Sequence, residues 1–168
     1  MTCRMLVLAA ALIGATTPLA AKTLAYEDNK LNFKTCTGEN VSARWVGANL
    51  SLSQPGKSPG DPSATVAFLT WDGDCATFEW DGNTGTLVIK QGGAAKPGDI
   101  VHFVAWDGAR WSAARTGAGF YLARIADKDD AAPKARMKAA GDWLAKNNKL
   151  GVPAADTLAK SLSEAGGG

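Results

Sequence analysis

The residues of this chain with chemical potential gather around one tripeptide. Trp71-Asp72-Gly73, Trp80-Asp81-Gly82 and Trp106-Asp107-Gly108 each close an apolar run, and Trp45-Val46-Gly47 is a looser fourth copy. Indole faces accept sugar rings, peptides and cationic groups, and a neighbouring carboxylate adds a polar handle. Asp-Gly between β runs also has a purely structural use, as a hairpin turn whose positions tolerate φ > 0. A longer similarity joins Phe68-Leu-Thr-Trp71-Asp-Gly73 with Phe103-Val-Ala-Trp106-Asp-Gly108. The unequal spacing of the Trp-Asp-Gly copies argues against a propeller repeat.

Other chemistries find little support. The chain has one histidine, His102, set mid-strand among apolar residues, and no G-x-S-x-G motif. Ser/His/Asp catalysis is therefore not expected. Asp72-Gly-Asp74 and Asp81-Gly-Asn83 are fragments of calcium loops without the oxygen ligands of an EF-hand. Glu79 alternates with Phe78 and Trp80, which assigns it to the solvent side of a strand. No glycine loop precedes a helix in the manner of a phosphate site. No catalytic residue, metal site or cofactor is expected.

Composition sets the frame for these residues. The 168 residues are 46% hydrophobic and 20% charged, enough for one folded domain. A net charge of +2 leaves no basic surplus for nucleic acid. Residues 22–130 lean slightly acidic and residues 131–168 slightly basic.

Residues 1–21 read as a signal peptide. Arg4 precedes the apolar run Met5–Ile13, and small residues follow up to Ala20-Ala21. The run is shorter than the ~20 residues a membrane-spanning helix needs, so no span is expected in the mature protein. The implied location is periplasmic or secreted. Cys36 and Cys75 then form the default disulfide of an oxidising compartment, closing a loop of about 40 residues worth about 4 kcal/mol.

Short runs split by turn residues across 22–130 predict an all-β domain, an antiparallel β-sandwich or small barrel of about 8–9 short strands with one crossover. The strands are expected at Leu31–Cys36, Asn40–Val46, Asn49–Gln54, Ala64–Trp71, Cys75–Trp80, Gly85–Gln91, Asp99–Trp106, Arg110–Arg115 and Gly119–Ala126. Ile100–Trp106, apolar on both faces, is expected to be central, and Pro55–Pro62 and Gln91–Gly98 to be loops. Residues 131–165 predict a pair of short helices packed on the β domain through Met137, Trp143, Leu144, Leu158 and Leu162, with 166–168 as a frayed tail.

The disulfide constrains topology. In a plain meander Cys36 and Cys75 would lie at opposite ends of strands roughly 20 Å long, whereas bonded cysteine Cα atoms lie within about 7 Å. One reversal of direction at Pro55–Pro62 removes the conflict. It places Trp45, Trp80 and Trp106 at the end opposite the disulfide, with Trp71 at the disulfide end. Trp45, Trp80, Asp81, Trp106 and Asp107 thus form the expected ligand-binding rim.

Phe33-Lys-Thr-Cys36 followed by Val41-Ser-Ala-Arg-Trp45 resembles the opening strands of the periplasmic C-type lysozyme inhibitors. The resemblance covers residues 33–45 and implies a small exported β fold with one disulfide. That family's later Ser-Gly…Tyr and Phe-Trp-x-Lys-Gly elements are absent, and no functional residue is carried over. The expected function is a non-enzymatic exported binding module for a small ligand, a carbohydrate or a protein of the cell envelope. The alternatives are an envelope-acting glycoside hydrolase and a protein-binding inhibitor or structural partner.

Overall fold

The structure is a computed structural model. It describes residues 23–53, 65–81, 83–97, 100–117, 119–130, 133–149 and 151–167. The expected signal peptide and the Pro55–Pro62 loop lie outside these residues.

Among the described residues, eleven strands precede two helices. The strands are β1 (Leu24–Asp28), β2 (Lys30–Lys34), β3 (Asn40–Val46), β4 (Asn49–Ser53), β5 (Thr65–Leu69), β6 (Cys75–Asp81), β7 (Thr86–Gln91), β8 (Ala94–Pro97), β9 (Ile100–Val104), β10 (Arg110–Arg115) and β11 (Phe120–Ala126). The helices are α1 (Pro133–Asn147) and α2 (Pro153–Gly166). Hydrogen bonding gives three antiparallel sheets, ordered β2-β3-β4, β5-β6-β7-β8 and β1-β11-β10-β9, where the sequence pattern points to a sandwich or barrel. β8 falls inside the expected Gln91–Gly98 loop, because Gly92 and Gly93 take positive φ and turn the chain back along β7. β9 is an edge strand rather than a central one. Its two-sided apolarity has another cause, given below.

The three sheets are variations on one unit. Thr35–Glu39, Thr70–Asp74 and Ala105–Ala109 are evenly spaced turns with the same hydrogen bonds. The first residue's N–H donates to the fifth residue's carbonyl at 2.9 Å in all three. The fourth residue's N–H donates back to the first carbonyl. That fourth residue is Gly38, Gly73 or Gly108, at φ of 85°, 83° and 82°, a region that side chains with a Cβ avoid. Each turn follows β2, β5 or β9 and joins it to the next strand of the same sheet. These strands carry Phe33, Phe68 and Phe103 at matching positions. Phe33 packs edge-on against Phe68 at 6.5 Å and against Phe103 at 6.4 Å. The sheets therefore meet through β2, β5 and β9, and the isolated bridge Phe33–Ala105 adds to this junction. β1, from the start of the described chain, completes the third sheet by pairing with β11.

Period-two alternation builds the shared core. Leu31, Phe33, Val41, Ala43, Trp45, Leu50, Val66, Phe68, Val101, Phe103, Ala113, Phe120 and Leu122 point inward from all three sheets. The third sheet is apolar on its outer face as well, through Ile100, Ala114, Ala123 and Ile125. There α1 and α2 cover it, with Ala140, Leu144, Ala155, Leu158, Ala159 and Leu162 buried. The spacing 155-158-159-162 is one helical face. Gly141 lets the helices close, since a Cβ there would strike the Ala159 carbonyl and Ser163. Met137 is partly covered, whereas Trp143, expected in this interface, is 39% exposed on the outer side of α1. Among the described residues no helix is long and apolar enough to cross a membrane.

The disulfide forms as expected, with the Cys36 and Cys75 Cα atoms 5.6 Å apart. β2 leads toward Cys36 and β5 toward Cys75, so β4 and β5 run in the same sense. That is the reversal the distance limit requires.

Candidate binding site

The residue after the first position of each turn is Cys36, Trp71 or Trp106, and each ties its sheet to the next. Cys36 bonds to Cys75 of the second sheet. The Trp71 indole N–H is shared between the Phe103 and Trp111 carbonyls of the third, 3.1 Å from each. The Trp106 indole N–H donates to the Val41 carbonyl of the first sheet at 2.9 Å. Three equivalent positions thus link the three sheets in a ring. The structural side of the Trp-Asp-Gly motif is real: Asp107 Oδ1 accepts from the Ala109 N–H at 3.0 Å, as a turn-forming aspartate does.

The five expected site residues separate into two groups. Trp45 and Trp80 meet at the end of β3 and β6 away from the disulfide, edge to face at 4.6 Å. Trp45 is only 9% exposed and stacks on Phe120, which makes it core. Trp80 is half-buried. Its N–H donates to the Ala48 carbonyl at 3.1 Å, and the Arg115 guanidinium lies 4.6 Å from its ring. Asp81 holds its own turn by accepting from the Asn83 N–H at 2.9 Å, which, with Thr84, draws its pKa below the ordinary carboxylate value. Trp106 and Asp107 are elsewhere. Trp106 lies over the outward face of the first sheet, whereas Trp45 lies on the inward face of the same strands. The expected common rim is not assembled, because Trp106 follows the strand end and leans across to Val41.

Trp106 is the exposed member of the ring of ties. Its indole is 42% exposed, against 7% for Trp71. It forms the wall between two clefts. One, about 190 Å³, opens between the first and third sheets and is lined by aromatic Tyr26, Phe103, Trp106 and Trp111 with Lys30, Asn32 and Asp107. The other, about 360 Å³, runs over the first sheet beside Lys30, Ser42, Arg44, Ser51, Ser53 and Trp106. Strand register sets the floor of the second. Lys30 pairs with Arg44 and Arg44 with Ser51; Asn32 pairs with Ser42 and Ser42 with Ser53. Alternation turns these residues outward while Leu31, Ala43, Leu50 and Leu52 turn in.

Electrostatics differ between the clefts' two sides. Asp107 is bound by Arg124 at 2.9 Å, and Arg124 also pairs with Asp127 at 2.7 Å and spans the Trp111 ring. The Lys30 ammonium lies 5.7 Å from the Trp106 ring centre. Neither Lys30 nor Arg44 has a carboxylate partner among the described residues. No cluster of His, Cys, Asp and Glu side chains suited to a metal ion occurs among them either.

Lys30, Arg44, Ser51 and Ser53 were not among the expected site residues. The alternation Lys30-Leu31-Asn32-Phe33 marks the outward positions, and the tight turn at residues 35–39 sets Lys30 opposite Arg44. Comparison with protein families, curated proteins and solved structures finds no match to this chain.

Proposed function

We propose that the protein is an exported, non-enzymatic binding module that takes an envelope carbohydrate on the exposed face of Trp106. One observation carries this reading: of three equivalent positions, Cys36 is spent in a disulfide and Trp71 is sealed, while Trp106 keeps an open ring between two polar-edged clefts. An indole of this kind suits the C–H face of a sugar ring, and the Asn32 amide nitrogen and the Ser51 and Ser53 hydroxyls suit its hydroxyls. The apolar leader and the disulfide support export.

The glycoside hydrolase reading is weaker. Hydrolysis needs two facing carboxyl groups about 5–10 Å apart. Asp107 is the sole carboxylate lining either cleft among the described residues, and Arg124 holds it. A protein partner is favoured by one feature, the exposed Leu24 and Tyr26 on edge strand β1.

The test is calorimetric titration of envelope oligosaccharides against the wild type, Trp106→Phe and Trp106→Ala. Phe keeps a stacking face but loses the N–H to Val41, so binding is expected to survive in it and vanish in Ala. Equal binding by the wild type and Trp106→Ala would refute the proposal.

A further inference from the structure

The internal repetition lets one sheet serve as a control for another. On the first sheet Lys30 sits directly opposite Arg44. At the matching place on the second sheet Thr65 sits opposite Glu79, and Glu79 is neutralised by Lys90 at 2.7 Å. On the third sheet the matching residues are the partly buried Ile100 and the buried Ala114, both apolar and part of the cluster packed against the helices. Among the described residues, the first sheet alone places two like charges directly across a strand pair, an arrangement that destabilises a sheet. The Arg44 guanidinium reaches, among the described residues, only the Asn29 side-chain oxygen, at 3.5 Å. Lys30 leans toward the Trp106 ring. Both cations border the larger cleft with three serine hydroxyls and the open indole. Asp107, the nearest carboxylate on the Trp106 turn, is held away by Arg124 and the Ala109 N–H.

We infer that the sugar taken on Trp106 is an acidic one, a uronic-acid oligosaccharide whose carboxylate is held by Lys30 and Arg44. The inference rests on the carbohydrate reading above and adds the class of sugar. A ring stacked on the indole projects its substituents over the outward face of β2 and β3. There a guanidinium and an ammonium on neighbouring strands converge on one anion. Arg44 offers a planar pair of donors that matches a carboxylate, and Lys30 adds a point charge. Ser51 and Ser53 remain for hydroxyl groups.

The experiment titrates tetragalacturonate and a hyaluronan tetrasaccharide, each beside its carboxyl-methylated counterpart, into the wild type, Trp106→Ala and the double variant Lys30→Gln/Arg44→Gln. At least one acid is expected to bind tenfold or more tightly than its ester. That preference should shrink as salt rises and disappear in the double variant. The double variant should melt no lower than the wild type, since its substitutions relieve a like-charge pair. Acid and ester bound equally, both lost in Trp106→Ala, would overturn the acidic specificity and leave the carbohydrate reading standing. No binding of any of the four would overturn both.

Discussion

His102 offers a quantitative handle on the packing between the third sheet and the second. Its ring accepts or donates a 2.7 Å hydrogen bond with the wholly buried Ser112 hydroxyl and lies 5.8 Å from the Trp71 ring. Burial lowers its pKa from 6.5 to about 4, outweighing the Asp72 carboxylate, which acts in the opposite sense. The unfolded chain therefore binds a proton between those two values that the folded chain refuses. Stability from this group is complete above about pH 6.5, falls as pH drops through the window, and falls no further below about pH 4. The full loss is about 3 kcal/mol, with a slope of at most about 1.4 kcal/mol per pH unit. The repeat itself supplies the control. Asn32 bonds the Ser42 hydroxyl at 2.8 Å in the matching place on the first sheet. His102→Asn should keep the bond to Ser112 and remove the titration. Urea unfolding of both proteins between about pH 7 and pH 4 should give curves that diverge by about 3 kcal/mol. Parallel curves would show that His102 titrates normally and that its enclosure is wrong.

Other substitutions separate core from site. Trp45→Ala should cost about 3–5 kcal/mol in urea unfolding, as deletion of a buried aromatic does. Trp45→Phe should cost much less, because the Trp45 N–H has no partner among the described residues; equal losses in the two would refute this. Leu158→Ala, at 0% exposure between the helices and the third sheet, should cost about 2–5 kcal/mol, and an unchanged midpoint would mean that the helices do not dock. Reduction of Cys36–Cys75 should lower stability by about 4 kcal/mol and admit two alkylating groups, and a protein indifferent to reductant would contradict the bond.

Much of the scaffold was legible from alternation and turns. Asn40–Val46 and Arg110–Arg115 are strands with the expected bounds, and both helices begin at their prolines. β1 was not legible, because Leu24-Ala-Tyr26-Glu-Asp28 lies largely exposed at an edge and needs no apolar face. β9 misled in another way: the helix cluster at Ile100 and Trp71 beside His102 cover its outer side, which produces the same two-sided apolarity as a central strand. The similarity of Phe68–Gly73 and Phe103–Gly108 showed two copies of the true repeat, but the Trp-Asp-Gly tripeptide counted Trp80 among them and passed over the third. Trp80 sits inside β6, whereas Trp71 and Trp106 sit in turns, so one tripeptide served two purposes. The third genuine copy carries Cys36 in place of tryptophan. A repeat of backbone hydrogen bonds survives such exchanges, and a repeat of letters does not. The same limit applies to the site. Which tryptophan stays open depends on the strand it leans toward, and that is a property of the assembled sheets.

The most direct measurement follows the indole N–H signals of the six tryptophans in a 15N-labelled protein as tetragalacturonate and neutral chitotetraose are added. The Trp106 signal should shift saturably with sugar, while those of Trp45, Trp71 and Trp143 stay in place. A Trp106 signal that stays fixed with both sugars would contradict carbohydrate binding at this ring.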